Sequence, residues 1–302
     1  MTGRGENGME LRHVARRSGR LSGFLRSEMG MSAGLMNRLK WQEAILVNGR
    51  PEHTDYAVSP GDVITAVLDE PDPDYPPEDG PLTVLFEDED FLAVDKPAGM
   101  LIHPSRVKIT GTLANVVAGY YRRTGQKSAF HPITRLDRDT FGVVLLAKNA
   151  HIHAAMNVLH SQGGIEKTYH ALVYGGPAED EGIIDAPIAR KPLPSLLREI
   201  RPDGKPSVTA YRVLERADGV SKLELRPITG RTHQLRLHCA SRGFPILGDP
   251  QYGTEESTAF SAAHGLLTQA LCAVRVCFRH PVTGEDMKIL SRQDPCFPDK
   301  IL

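Results

Sequence analysis

The densest chemistry in the chain sits in one run. Arg135-Leu136-Asp137-Arg138-Asp139 puts two carboxylates and two guanidiniums in five residues, and Thr140-Phe141-Gly142 leads on into the apolar stretch Val143–Ala147. Such a run is either a solvated ion-pair cluster or a loop that delivers a reactive carboxylate to the end of a buried strand. Paired aspartates also serve magnesium-dependent phosphotransferases, where one attacks phosphorus and both help hold the metal. In that arrangement an apolar strand precedes the pair. Here it follows, which argues against a phosphotransferase. His151, His153 and His160 cluster in HIHAAMNVLH, but on a helix the first two do not share a face, so they read as structural and no metal is expected. Cys239, Cys272, Cys277 and Cys296 form no Cys-x-x-Cys pair, which argues against a zinc knuckle and a disulfide framework. Neither a glycine-rich dinucleotide fingerprint nor a phosphate loop ending in Gly-Lys-Ser is present, so no nucleotide cofactor is indicated.

Further blocks follow in order: Glu166-Lys167-Thr168-Tyr169-His170-Ala171, Gly230-Arg231-Thr232-His233-Gln234-Leu235-Arg236-Leu237-His238, Gly248-Asp249-Pro250-Gln251-Tyr252-Gly253 and His280-Pro281-Val282-Thr283-Gly284. Together with the aspartate run, these blocks resemble the RluA-type pseudouridine synthases over roughly residues 82–290. The resemblance implies an isomerase that acts on uridine in structured RNA and needs no cofactor, with Asp137 as nucleophile, Tyr169 as the active-site tyrosine and Arg231 as the arginine paired with Asp137. It also implies that Arg135 occupies the gap left by a flipped base. Arg138, Gln234 and Arg236 are expected among the RNA contacts.

The residue types suit that reaction. Uracil must leave its sugar, turn and rejoin through carbon, so the nucleophile must attach and leave reversibly, as a carboxylate can. A guanidinium beside a buried carboxylate keeps it charged. Tyrosine offers a flat face for uracil and a hydroxyl that can take the proton from carbon five. The target base has to be extruded from its stack first. Two residues depart from the family pattern: Thr134, where histidine is usual, and Phe141, where serine is usual. They touch substrate preference rather than the trio. A non-catalytic RNA-binding protein is the competing reading, and the intact trio argues against it.

The elements that must position these residues fall in two parts. Residues 70–81, EPDPDYPPEDGP, hold five prolines and five acidic residues, a composition that resists helix and ladder and marks an extended linker. Upstream, residues 12–50 carry eight cations against Glu28 and Glu43, a polyanion-facing patch. An amphipathic segment at Leu21–Arg26, a helix capped by Ser32, a strand at Ile45–Val47, a tight turn at Asn48-Gly49 and a strand entered through Ser59-Pro60-Gly61 complete a small unit. It resembles the alpha-L RNA-binding module over roughly residues 20–69. The division expected is therefore 1–69 for this module, with 1–19 flexible, 70–81 for the linker and 82–302 for the catalytic domain.

Downstream, a hairpin joins Leu82–Phe86 to Phe91–Val94, and strands are predicted at Val143–Ala147, Tyr169–Tyr174, Leu223–Arg226 and Ala273–Phe278. Helices are predicted at Leu113–Arg122, His151–His160 and His233–Ser241. Strand and helix do not alternate regularly, so the class is α+β rather than doubly wound. The family resemblance implies a mixed, largely antiparallel central sheet with flanking helices. The 302 residues, 40% of them hydrophobic, suffice for such a core. A net charge of −1 gives no overall pull toward RNA, so the local patch has to supply it. No apolar run is long enough for a signal peptide or a membrane span. The expectation is a cytoplasmic monomer whose partner is ribosomal or transfer RNA, ribosomal RNA being favoured.

Overall fold

A computed structural model of the chain describes residues 2–5, 8–70, 73–105, 107–192, 194–195 and 197–297, with side chains from residue 10 onward. The first part contains β1 (Thr2–Gly5), β2 (Gly8–Val14), β3 (Gly19–Arg20), α1 (Leu21–Ser27), α2 (Ala33–Trp41), β4 (Ile45–Val47), β5 (Arg50–Pro51), β6 (Ala57–Val58) and β7 (Val63–Leu68). Its five-stranded sheet runs β1-β2-β7-β4-β5. Leu21, Phe24 and Leu25 of α1 and Leu35, Met36 and Leu39 of α2 are spaced one turn apart and bury against Ile45, Val47, Ile64 and Ala66, so each helix presents one apolar stripe to the sheet. The Ser32 hydroxyl accepts from the Leu35 N–H at 3.2 Å, as an N-cap does. Asn48 and Gly49 take φ of 52° and 80°, the left-handed pair that a two-residue hairpin turn requires.

Within the stretch 1–19 expected to be flexible, residues 9–14 are built into the sheet, while Met1, Glu6 and Asn7 lie outside the described residues. β2 pairs with β7 in continuous antiparallel register from Met9↔Leu68 to Val14↔Val63, and Leu11 closes the core beneath α1 and α2. The 70–81 segment is extended, as its prolines dictate, yet it is docked rather than free; Pro71 and Asp72 lie outside the described residues. Glu70 is buried, accepts from the Ala150 N–H at 2.7 Å and lies 3.1 Å from His131 Nε2, while Arg38 of α2 reaches it at 3.6 Å. Further along, the Gly111 N–H and the Asn115 side chain hydrogen-bond to Glu78 and to the Pro76 carbonyl.

The larger part contains β8 (Thr83–Glu87), β9 (Phe91–Lys96), α3 (Leu113–Arg123), β10 (His131–Pro132), β11 (Phe141–Ala147), α4 (Ala150–Ser161), β12 (Ile165–Tyr174), β13 (Glu181–Asp185), β14 (Ile188–Arg190) and β15 (Arg198–Ile200). It continues with β16 (Val208–Ala217), β17 (Val220–Pro227), α5 (Gln234–Ser241), α6 (Glu255–Ala263), β18 (Leu271–Arg279) and β19 (Asp286–Leu290). A ten-stranded sheet runs β13-β16-β17-β12-β18-β11-β9-β8, with β10 on β11 and β19 on β18. Among the described residues β11 and β18 pair in parallel, and the sheet's other pairings are antiparallel. The class is α+β, with a mixed and largely antiparallel sheet.

The centre of that sheet explains why Val143–Ala147 is an unbroken apolar run. Val143, Leu145 and Ala147 face Ile152 and Met156 of α4. Val144 and Leu146 face Leu113, Val117 and Tyr121 of α3. A strand covered on both faces has no polar side to show. β11 is thus a fixed rail, and the aspartate run is the loop that feeds it.

Candidate active site

The loop between β10 and β11 is closed at its base by Thr134, whose buried hydroxyl accepts from the Leu145 N–H at 2.9 Å. At its far end Gly142 has φ 104°, and a Cβ there would stand 2.4 Å from the Ala273 carbonyl oxygen, so a side chain is excluded where β11 meets β18. Phe141 opens β11 opposite Cys272 and is half-buried. Inside the loop, Lys96 is fully buried and donates to the carbonyls of Pro97, Met100 and Arg138 at 2.9, 2.8 and 2.8 Å. Its three protons match three acceptors on two segments. Burial pulls the Lys96 ammonium down to about 8, opposed by the charges of Asp139 and Asp137. The Thr140 hydroxyl accepts from buried Gln269. With both flanks held, Asp137 projects from a fixed backbone and keeps 31% of its side chain exposed.

The arginine on Asp137 is Arg236, not Arg231. Arg236 Nη1 donates to Asp137 Oδ2 at 3.0 Å. Its Nε and Nη2 grip Asp249 at 2.7 Å each, and Nη2 also reaches Gln251 Oε1 at 2.8 Å. Arg236 is 6% exposed and Asp249 1%, so the guanidinium is locked by a bidentate bond to a buried carboxylate and lends one nitrogen to Asp137. Arg231 lies in the exposed turn before α5, and its Nε donates to the Pro206 carbonyl at 3.2 Å. The expected Arg231–Asp137 pairing is therefore corrected, because the helix that starts at Gln234 carries Arg236 inward and leaves Arg231 in the turn.

Gln234 is not placed to meet RNA either. It is buried, donates to the Val208 carbonyl and Thr209 hydroxyl at 3.0 Å each, and accepts from the Thr229 hydroxyl and Arg231 N–H. It staples the turn before α5 to β16. Burial likewise removes Arg236 from the expected RNA contacts. Arg135 is exposed and has no hydrogen bond or ion pair among the described residues. Arg138 is also exposed at the surface, and its guanidinium folds onto Asp139 at 2.8 and 3.0 Å.

Tyr169 stands in β12, 9% exposed, against Leu235 and Cys239 of α5. Burial raises its phenol well above the usual range, and the charges of Asp137 and Cys272 add to this. The hydroxyl therefore keeps its proton at neutral pH, which favours the flat-face role; a base role needs the phenol to hand its own proton on.

Asp249, His233 and Lys96 escaped the sequence reading as site residues. Asp249 lies in the run Gly248-Asp249-Pro250-Gln251-Tyr252-Gly253, and a lone carboxylate following the apolar Pro245-Ile246-Leu247 is the signal that could have marked it as a buried counter-ion. His233 takes φ 58° and ψ 19° at the start of α5, with Nδ1 2.9 Å from the Tyr252 hydroxyl oxygen and Nε2 4.0 Å from Asp137 Oδ2. Tyr252 also lies under the Arg236 guanidinium, 5.1 Å from the ring centroid. No group of three or more metal-ligating side chains occurs among the described residues, and no helix is long and apolar enough to cross a membrane.

A held carboxylate, a buried aromatic face and a cation-lined rim can attack and release a sugar or base ring. The family model described as RNA pseudouridylate synthase matches residues 90–241. The chain is 37% identical over 245 residues to an uncharacterised RNA pseudouridine synthase, YlyB, of Bacillus subtilis, covering 80% of this chain and 79% of that one. It is 33% identical over 264 residues to ribosomal large subunit pseudouridine synthase D of Pasteurella multocida, covering 83% and 81%. Among solved structures, human RNA pseudouridylate synthase domain containing 1 superposes with a TM-score of 0.59 at 27% identity, covering 73% of this chain and 88% of that one. The chain belongs to the RNA pseudouridine synthases, isomerases of uridine in RNA.

Proposed function

We propose that this protein isomerises a uridine in structured ribosomal RNA, with Asp137 as nucleophile, Arg236 as its fixed counter-ion and Tyr169 as the face on which uracil rests. The ion chain Asp249–Arg236–Asp137 carries the reading. A partly exposed carboxylate hydrogen-bonded to a locked guanidinium is oriented and still open to a nucleotide. The reaction breaks the bond from the ribose carbon to uracil N1 and makes one to uracil C5. C5 loses a proton and N1 gains one, so the balance closes without a cofactor. Exposed Arg135 fills the space the base leaves on flipping, and Arg138 meets phosphate. The ribosomal target follows the name of the Pasteurella relative; transfer RNA is the other substrate class.

Residues 1–69 are the RNA-binding module in this reading, residues 70–81 the linker, and residues 82–302 the catalytic domain, working as a cytoplasmic monomer. A cleft of about 500 Å³ between α1 and α2 is lined by Arg26 and Lys40 with Ser22, Asn37 and Thr54. Two cations over hydroxyl and amide groups suit a phosphate backbone. The test is to map pseudouridines in ribosomal and transfer RNA before and after incubation with purified protein. New sites in ribosomal RNA that vanish with Asp137→Asn are expected; modification confined to transfer RNA, or retained by that variant, overturns the respective part.

A further inference from the structure

His233 precedes α5 in a left-handed backbone conformation, φ 58° and ψ 19°, which is uncommon for a residue with a Cβ. Such strain persists only where surrounding bonds hold it, and it gathers at working sites. Here the holding bond is the 2.9 Å contact between His233 Nδ1 and the Tyr252 hydroxyl. The Arg198 backbone N–H donates to the Tyr252 hydroxyl oxygen at 3.0 Å. The tyrosine proton then needs an acceptor, and His233 Nδ1 is the one at hydrogen-bonding distance among the described residues. Burial raises Tyr252, so the hydroxyl has its proton to give. Burial lowers His233; Asp137 and Asp249 oppose this, while Arg236 and Arg198 reinforce it. A neutral imidazole that accepts at Nδ1 carries its hydrogen on Nε2.

That Nε2 lies 4.0 Å from Asp137 Oδ2, too far for a hydrogen bond. The donor is thus unengaged among the described residues, beside a carboxylate that keeps 31% of its side chain exposed. We propose that His233 is a substrate-positioning donor: Tyr252 fixes its proton on Nε2, and Nε2–H hydrogen-bonds an oxygen of the target uridine as the nucleotide settles against Asp137. Arg236 holds the nucleophile while His233 holds what it attacks. The left-handed turn at His233 lets one short segment supply both, since Arg236 follows three residues later on the first turn of α5. The inference rests on Asp137 being the reacting carboxylate.

Two measurements on the full-length protein test it. Nitrogen-15 NMR of the histidine rings reads the tautomer without any need for turnover. The wild type is expected to show the His233 proton on Nε2, and Tyr252→Phe a mixture of both forms; a proton on Nδ1 in the wild type overturns the relay. Kinetics on ribosomal RNA then compare His233→Asn, Tyr252→Phe and the His233→Asn/Tyr252→Phe double variant, with His233→Gln as the conservative variant. Asparagine tolerates the left-handed region and so keeps the turn, while its shorter amide falls short of the Nε2 position. His233→Asn should lose about tenfold to a hundredfold in kcat/KM, the worth of one hydrogen bond within a polar site, and His233→Gln, whose amide keeps an N–H near that position, should lose less. Tyr252→Phe should add nothing in the His233→Asn background, because the hydroxyl acts through the imidazole. Wild-type turnover by His233→Asn, or full additivity in the double variant, overturns the proposal. An active Asp137→Asn instead sinks the nucleophile assignment and leaves the tautomer result standing.

Discussion

Replacing Arg236 by lysine and, separately, Arg231 by lysine asks which arginine serves Asp137. An ammonium has no fork: it can meet Asp249 or Asp137 but not grip the first and donate to the second, as the guanidinium does at 2.7 and 3.0 Å. Two consequences follow from burial. Asp249, 1% exposed, loses its bidentate partner while keeping a cation nearby, and a buried acceptor left short of a hydrogen bond costs about 1–3 kcal/mol, or roughly 2–12 °C in Tm for a domain of this size. Asp137 loses a preorganised donor, which is of the order of a hundredfold to a thousandfold in kcat. Arg231 offers a contrast, since its side chain is exposed and reaches only the Pro206 carbonyl at 3.2 Å among the described residues; Arg231→Lys should cost under about 0.5 kcal/mol and leave kcat near the wild type. The assay is tritium release from RNA labelled on carbon five of uridine, run below the lowered Tm with folding checked by circular dichroism. A fully active Arg236→Lys beside an inactive Arg231→Lys would refute the assignment of the ion chain.

Asp137→Asn should remove turnover while leaving thermal unfolding near that of the wild type, because the side chain is partly exposed; retained tritium release contradicts its role as nucleophile. Lys96→Met keeps the volume but strands three carbonyls, so it should lower stability by roughly 3 kcal/mol or more and turnover with it, measured by urea unfolding and kcat. Lys96 also sets an alkaline limb. Its folded value of about 8 lies below the unfolded 10.5, so its linkage contribution to stability is present above the unfolded value and is lost as pH falls through about 8. Activity runs the other way, because deprotonation takes a donor from the Asp137 loop: kcat should decline above about pH 8 without unfolding, and a flat profile there contradicts this. Gly142→Ala meets the Ala273 carbonyl and a forbidden φ, and should cost roughly 1–3 kcal/mol in backbone strain alone; an unchanged Tm would show that β11 shifts freely. Reversing Arg26 and Lys40 to glutamate should weaken RNA binding and flatten its salt dependence, read by filter binding at several salt concentrations; unaltered titrations argue against the α1–α2 cleft.

Local patterns in the chain determined most of the elements and the company of the reactive residues. One-turn spacing of apolar residues marked α1 and α2, the unbroken Val143–Ala147 run marked a strand buried on both faces, and Asn48-Gly49 marked its hairpin, since each depends on neighbours a few residues away. The aspartate run, the tyrosine block and the arginine block were legible through their resemblance to the family's ordered motifs. What the sequence could not decide was which arginine turns inward. Arg231 and Arg236 share one block, and α5 is buried around much of its surface from Gln234 to Cys239, so no polar stripe tells its faces apart. The choice is made by Asp249, which the chain brings back 13 residues after Arg236, and a buried carboxylate selects its guanidinium by geometry that only the assembled fold supplies. The same holds for β2, whose pairing partner β7 lies some fifty residues along the chain, for the docking of the proline-rich segment through Glu70, and for His233, whose proton is placed by a tyrosine 19 residues away.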